Sequence, residues 1–578
     1  MRQTLLFRFA GVLLASACTL SPAALEARGP RTAVAAPVYE RGMVSAADPR
    51  AAEAGAEMLR AGGSATDAAI ATMLALTVVE PQSSGIGGGG FFITSDAAGH
   101  VETIDGRETA PRAAHPQWFA KDGRIMSFAE AVPGGTSVGV PGNIALAAKA
   151  HASHGRLPWA RLFQPAIRLA RGGYAISPRM HDMLLAAPGP ASFDAAGRAL
   201  FFDADGKPRA EGTRIVNAAL ARSLTAFAHG GARAFYRGAN ARAIAARVGT
   251  APRNPAPMTA GDVAAYAAKP RAPVCGSYRV WRICGMAPPS SGATTVIATL
   301  KQLERFDMGA LGPDSPTAWH LIAESMRLSY ADRARYLADA DFVKVPVAGL
   351  VDPAYLAARS ALIDPARAMP EVSAGTPPGA EGLARADIAP GEEHGTSHFV
   401  AIDRRGQAVT YTSTIESLFG SGLMVGGYFL NNELTDFDMV PELDGRPAAN
   451  RVEGGKRPRS SMAPTLVFGP DGKLRLAIGA AGGATIPAQV LKAIIGVLDW
   501  KLSAQDAIAL PVILAPGGNT LFVEKGSRLE AMIPALTALG HGDVRLRGPS
   551  FKANAVEVVN GRLVGAADPR SEGRAIAE

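Results

Sequence analysis

In Glu392-Glu393-His394-Gly395-Thr396-Ser397-His398-Phe399, a hydroxyl-bearing residue follows a glycine where loop-like sequence gives way to strand-like sequence. That order of residue types could act on the chain itself. Gly395 admits backbone geometries that a bulkier residue would resist, as an attack of the Thr396 hydroxyl on the Gly395 carbonyl requires. Hydrolysis of the resulting ester would make Thr396 a new N-terminus. Its α-amine, with an unperturbed pKa of about 7.7–8.0, could then serve as base for its own hydroxyl. Taken alone, Gly-Thr ahead of a strand is equally an ordinary strand start.

Strand pairing adds geometry. Ser397 to Asp403 and Ala408 to Thr414 flank the turn residues Arg404-Arg405-Gly406. Pairing Asp403 with Gln407 across that turn sets Thr396 opposite Thr414, with Thr412 on the same face two residues away. A register shift of one residue would break this arrangement, and a Thr-rich edge strand remains the alternative. Three other spacings resemble chemical motifs. Gly85-x-Gly87-x-x-Gly90 matches a dinucleotide fingerprint, but it follows a helix and precedes a strand, the reverse of the required order. It reads as a turn where backbones approach closely. Gly135-Thr136-Ser137-Val138-Gly139 has the nucleophile-elbow pattern, yet Gly139 and Pro141 leave no room for a helix at Ser137. His394 and His398 are four apart but flank a glycine-containing loop, so no metal site is expected.

The elements around these residues follow from periodicity and punctuation. Asp48-Pro49 opens a helix whose apolar positions run through Ala52, Ala56 and Leu59 to Gly62-Gly63. Ser64 and Asp67 form a capping box for a second helix, Ala65 to about Val79, which Pro81 ends. Phe91 to Thr94 and Val101 to Ile104 read as strands. Helical spacing recurs over 143–154, 159–171 and 318–337. From Met369 to Gly395, prolines and scattered acids make a loop without apolar period. Gly427 to Asn431, Thr465 to Phe468 and Leu474 to Ile478 read as strands, and a helix is expected over 487–502.

The chain has 578 residues, of which 48% are hydrophobic and 19% charged, enough for a large buried core. A net charge of +8 over this length, without a basic–aromatic stripe, argues against nucleic-acid binding. Arg2 and Arg8 precede the apolar run Phe9 to Ala15, an export signal too short to span a bilayer. Cleavage is expected within residues 1–27, at Ala15-Ser16-Ala17 or at the later sites of Ser21 to Ala27. Cys18 weakly resembles a lipoprotein acceptor, and simple export to the periplasm or beyond is preferred. Cys275 and Cys284 would then meet an oxidising compartment. They bracket two β-prone arms, and folding these as a hairpin brings the cysteines within disulfide reach. Two buried free thiols are the alternative.

The mature sequence resembles the γ-glutamyltransferase family from Gly42-Met43-Val44 to Asp568-Pro569-Arg570. The matching blocks include Gly62 to Ala69, Glu80-Pro81-Gln82-Ser83-Ser84-Gly85-Ile86-Gly87-Gly88-Gly89 and Asp105-Gly106-Arg107-Glu108-Thr109-Ala110. Tyr330-Ala331-Asp332-Arg333, Gly395-Thr396-Ser397-His398, Asn431-Asn432-Glu433-Leu434-Thr435-Asp436-Phe437 and Arg457 to Thr465 continue the order. The resemblance implies an α/β four-layer αββα sandwich of the N-terminal-nucleophile hydrolase type. The chain would be cut into a large subunit, 28–395, and a small catalytic subunit, 396–578, that remain a heterodimer. It implies no cofactor and no metal.

Carried over by position, the resemblance makes Thr396 the nucleophile and Thr412 its supporting threonine. Gly482 and Gly483 supply the oxyanion amides, while Arg107, Ser460 and Ser461 hold a substrate α-carboxylate. Glu433 and Asp436 receive the α-ammonium, and Thr414 stands at the substrate head where many members carry asparagine. The segment from Phe437 to Arg459, which often includes a lid, is shorter here than in long-lid forms. The implied activity is transfer of a γ-glutamyl group, from glutathione by default, to water or to an amino-acid or peptide amine. One rival is a glutaryl or cephalosporin-type acylase of the same fold, whose donor has no α-ammonium for Glu433 and Asp436. A non-catalytic glutamate-binding relative is the other, against which the intact Gly395-Thr396 and Gly482-Gly483 argue.

Overall fold

In the computed structural model the described residues are 39–387, 395–548 and 551–578. The export segment 1–27, Cys18, and Glu392-Glu393-His394 fall outside them. Thirteen strands matter to the site, numbered here in chain order. They are β1 (Met43–Ala46), β2 (Gly89–Ser95), β3 (Val101–Gly106), β4 (Lys269–Arg271), β5 (Val274–Tyr278), β6 (Trp281–Gly285) and β7 (Ser397–Ile402). After them come β8 (Ala408–Thr414), β9 (Thr465–Phe468), β10 (Leu474–Ala481), β11 (Lys552–Val559), β12 (Arg562–Ala567) and β13 (Arg574–Ala577).

Side-chain alternation builds two apolar layers from one sheet. Phe92, Phe399, Ala401 and Tyr411 pack with the helices α1 (Pro49–Arg60) and α2 (Ala65–Val79). Phe91, Ile93, Val400 and Ile402 point the other way, into a cluster with Leu476 and Ile478. The first sheet runs β13-β1-β7-β8-β2-β3-β4 and the second β12-β11-β10-β9-β6-β5. Behind the second sheet pack α3 (Gly292–Leu303), α4 (Pro316–Tyr336) and α5 (Ile486–Leu498). Helix, sheet, sheet and helix make the expected four layers. Every residue of α2 is buried, which a helix without a charged residue beyond its first turn permits. Its capping box forms as read: Ser64 Oγ accepts from Asp67 N at 3.1 Å, and Asp67 Oδ2 accepts from Ser64 N at 2.9 Å.

The hairpin β7–β8 has the register expected from its turn, with Ser397 opposite Ser413 and His398 opposite Thr412. In the hairpin β5–β6, Cys275 stands opposite Cys284, and the two form a disulfide. Elsewhere the sequence reading is corrected. The helix over 159–171 breaks at Phe163 into Trp159–Leu162 and Gln164–Gly172, because Pro165 cannot continue the first hydrogen-bond ladder and instead opens the second helix. The strand over 427–431 shrinks to Tyr428–Phe429, and the helix over 487–502 spans Ile486–Leu498.

Candidate active site

Thr396 lies at the entry to β7, a central strand, and is buried. Its hydroxyl contacts the carbonyl oxygen of Gly395. Thr414 Oγ1 lies 3.4 Å from Thr396 Oγ1 and 3.2 Å from the Gly395 oxygen. It also accepts the Glu416 N–H at 2.7 Å. Gly395 N donates to the Glu416 carbonyl, and a Cβ on Gly395 would collide with that same oxygen. Close approach of the 416–417 backbone is therefore the reason for glycine at 395. Behind Thr396, Ser397 Oγ donates to Glu80 Oε2 at 2.6 Å, and Lys552 Nζ reaches the same oxygen at 2.9 Å. This buried pair fixes the strand entry from the helix side.

The end of β10 packs on β7 and β8. Gly479 lies under the His398 ring, where any Cβ would collide, and Thr410 Oγ1 is 3.3 Å from the Ile478 oxygen. Ala481, the last residue of β10, stands opposite Lys552, whose Nζ lies 3.5 Å from the hydroxyl of Ser397, the residue after Thr396. Both glycines have positive φ, 125° and 60°, which side chains resist. Gln489 Nε2 donates to the Ala481 oxygen at 2.7 Å, and Thr485 Oγ1 to the Gly482 oxygen at 2.7 Å. In trans peptides the following N–H opposes each carbonyl. With those carbonyls held toward α5, the Gly482 and Gly483 amides point away from it.

Arg107 lies beside this machinery, only 1% exposed. Its Nε donates to the Pro458 oxygen at 3.1 Å and its Nη2 to the Arg459 oxygen at 2.9 Å, tying it to the strand entry that carries Ser460 and Ser461. The remaining fork meets two acids: Nη1 pairs with Glu433 and Nη2 with Asp436. These acids occupy one 3₁₀ turn, Glu433–Asp436, where three residues per turn align positions i and i+3. Asn432 Nδ2 bonds the Glu416 carboxylate, and Gly395 N donates to the Glu416 carbonyl, connecting the acidic turn to the Gly395-Thr396 segment. Burial opposes the Arg107 charge, but Glu433 and Asp436 outweigh it and raise its pKa. Burial likewise pushes Glu108 up to about 8, with Arg107 opposing. Neither Glu108 oxygen has a donor among the described residues, nor does Glu433 Oε2. Burial raises the Glu433 carboxyl well above the ordinary carboxylate value as well, with Arg107 opposing, so the Glu108–Glu433 pair holds a proton near neutrality.

Residues 51–578 match the sequence model of the Gamma-glutamyltranspeptidase family. The chain belongs to the γ-glutamyltranspeptidase family. It is 36% identical over 550 residues to the glutathione hydrolase proenzyme of Bacillus subtilis (strain 168), covering 93% of this chain and 92% of that one. It is also 36% identical over 546 residues to the acylase ACY 1 proenzyme of Pseudomonas sp. (strain SE83), covering 93% of each. The solved cephalosporin acylase from Bacillus halodurans superposes with a TM-score of 0.81 over 97% of this chain and 99% of that chain. At 24% identity that likeness is one of fold.

Two positions differ from the roles the γ-glutamyltranspeptidase resemblance gave them. The threonine beside Thr396 is Thr414, whereas Thr412 Oγ1 meets His398 Nδ1 at 2.8 Å. The strand register requires this, since 396 opposes 414 and 398 opposes 412. Glu416, not Thr414, lies toward the acidic turn, and no local pattern in the sequence marks it. His398 is fully buried between the sheets, and burial lowers its pKa to about 3, so it acts there as a neutral spacer. Of the other motif-like stretches, Ser137 Oγ donates to the Val132 oxygen at 2.9 Å with no helix starting there. Gly87 and Gly88 abut the carbonyls of Phe429 and Thr414, the backbone approach read from the sequence.

Proposed function

We propose that this chain is an exported γ-glutamyl hydrolase and transpeptidase that matures by cutting itself between Gly395 and Thr396. The reading is supported above all by the Arg107–Glu433–Asp436 cluster beside Thr396, a site with both charges that a zwitterionic glutamyl head needs. Without substrate these groups satisfy one another. On binding, the α-carboxylate takes the Arg107 fork, helped by Ser460 and Ser461, while the α-ammonium takes the two acids. No buried charge is left alone in either state.

Cleavage begins with the Thr396 hydroxyl adding to the Gly395 carbonyl. The C–N bond breaks, the proton passes to the departing amine, and water hydrolyses the ester to leave a large part, 28–395, and a small part, 396–578. In the mature enzyme the Thr396 α-amine takes the hydroxyl proton as Oγ1 adds to the γ-carbonyl of the donor. The Gly482 and Gly483 amides hold the oxyanion, and loss of one such donor costs about 10²–10³ in rate. The leaving amine departs with that proton, and the γ-glutamyl–Thr396 ester passes to water or to an amino-acid or peptide amine. Glutathione is the expected donor. The Cys275–Cys284 disulfide supports an oxidising location, and among the described residues no helix is long and apolar enough to cross a membrane.

The acylase reading is weighed by the same cluster. A glutaryl donor would take Arg107 from Glu433 and Asp436 and offer them no cation, which is costly in a buried site. Purified protein should give two bands on a denaturing gel, the smaller beginning Thr-Ser-His-Phe, and Thr396→Ala should stay whole. The matured enzyme should strongly prefer γ-glutamyl-anilide over glutaryl-anilide. Equal use of the two anilides would assign the chain to the acylases, and a single band after long incubation would remove the mechanism.

A further inference from the structure

The long helix α4 (Pro316–Tyr336) touches both halves of the site without lying in it. Tyr330 Oη donates to the Ala484 oxygen at 2.6 Å, behind the Gly482-Gly483 turn. One turn further on, Arg333 Nη2 donates to Ser461 Oγ at 2.6 Å and Arg333 Nε to Ser291 Oγ at 2.8 Å. Ser291 passes the contact on, its hydroxyl donating to the Ser460 oxygen at 2.7 Å and its N–H to the same oxygen at 2.8 Å. Positions 330 and 333 share a helix face, and both side chains are buried.

We propose that α4 is a two-point clamp on the active site, in which Tyr330 positions the oxyanion turn and Arg333 orients Ser460 and Ser461 toward the substrate carboxylate. The inference rests on the γ-glutamyl reading above. A hydroxyl has one donor and two lone pairs. A guanidinium that occupies one of the two lone pairs of Ser461 fixes the directions left to its O–H, the polarity a carboxylate needs. Ser460 is treated alike, because its Oγ accepts the Met462 N–H at 3.2 Å. Arg333 acts through a charge-assisted hydrogen bond and a serine relay, and Tyr330 through a main-chain carbonyl, so both are positioning residues. The clamp also crosses the proposed cut: α4 precedes residue 396, whereas both clamped turns follow it.

The test compares γ-glutamyl-anilide with 4-aminobutyryl-anilide, which keeps the ammonium and lacks the carboxylate. Enzymes are used after a gel has shown complete self-cleavage. Arg333→Lys should raise KM for γ-glutamyl-anilide about tenfold with kcat within about twofold, and leave 4-aminobutyryl-anilide kinetics unchanged. Tyr330→Phe should lower kcat about tenfold on both substrates with KM near wild type. If Arg333→Lys does not fold, Ser291→Ala takes its place, with an expected KM rise of about threefold on the carboxylate-bearing substrate alone. Shifts of kcat and KM together on both substrates, or no shift at all, would overturn the clamp. Failure of the underlying reading looks different: wild type itself would then not discriminate between the two anilides.

Discussion

Glu108, paired with Glu433, shows how burial sets the electrostatics of the site. Its pKa, raised by burial to about 8, lies above the ordinary carboxylate value of about 4.3. Between those pH values the folded state holds a proton that the unfolded state has released. Stability from this group is therefore complete below about pH 4 and is lost as pH rises toward 8. Glu108→Gln keeps the shape without the titration, and its amide can donate toward Glu433 Oε2, which has no donor among the described residues. Calorimetry should find the variant more stable than wild type at pH 8, with the gap closing toward pH 4. A gap that does not change with pH would place the proton elsewhere. Arg107→Lys tests the neighbouring group: the ammonium keeps the charge but not the planar fork. Self-cleavage should be unchanged while kcat/KM for γ-glutamyl-anilide falls about 100-fold. Unaltered kinetics would mean the carboxylate binds elsewhere.

The hairpin β5–β6 ends the second sheet, with β5 as its edge, and its disulfide closes a short loop of sequence separation 9. Loop-closure entropy of that size contributes about 2–3 kcal/mol. For a chain this long, that is a melting shift of only about 2 °C. Reductant should lower the wild-type midpoint by that amount and leave a Cys275→Ala/Cys284→Ala variant unaffected; equal sensitivity of the two would mean the bridge carries no stability. This pairing, like the β7–β8 register, was legible because period-two alternation and a turn leave one way to fold each hairpin. The strands β11, β12 and β13 were not read from the sequence. The last two are short and rich in alanine, glycine or arginine, residues with little preference for strands. The clamp was equally hidden, since nothing local to Arg333 reports contact with Ser461, 128 positions away. The reading of the partners of Thr396 failed differently. Strand geometry placed Thr414 opposite Thr396, but transfer of roles by motif put the supporting role two residues off, on Thr412.

At the scale of the molecule, the proposed cut falls between parts that cannot easily separate. The first sheet takes β1, β2, β3 and β4 from before residue 396 and β7, β8 and β13 from after it. The second takes β5 and β6 from before and the other four strands from after. Ladders across the divide include Met43 with Ile402, Met43 with Ala577, Phe91 with Thr412 and Cys284 with Leu466. Each piece alone would expose unpaired strand edges and half of both apolar layers. Cleavage should therefore leave one particle, with both fragments co-eluting in native conditions and parting only in denaturant. It should also change the molecularity of unfolding. The uncut Thr396→Ala chain unfolds to one molecule, so its melting midpoint is independent of concentration. The mature enzyme unfolds to two, so dilution favours the unfolded state by about 1.4 kcal/mol per decade. With an unfolding entropy of about 2 cal/mol/K per residue, that is a midpoint lowered by about 1 °C for each tenfold dilution. Calorimetry over a hundredfold range of protein concentration should resolve the difference. If cut and uncut proteins respond alike to dilution, or if the fragments part without denaturant, the two sheets are not the joint that holds the matured enzyme together.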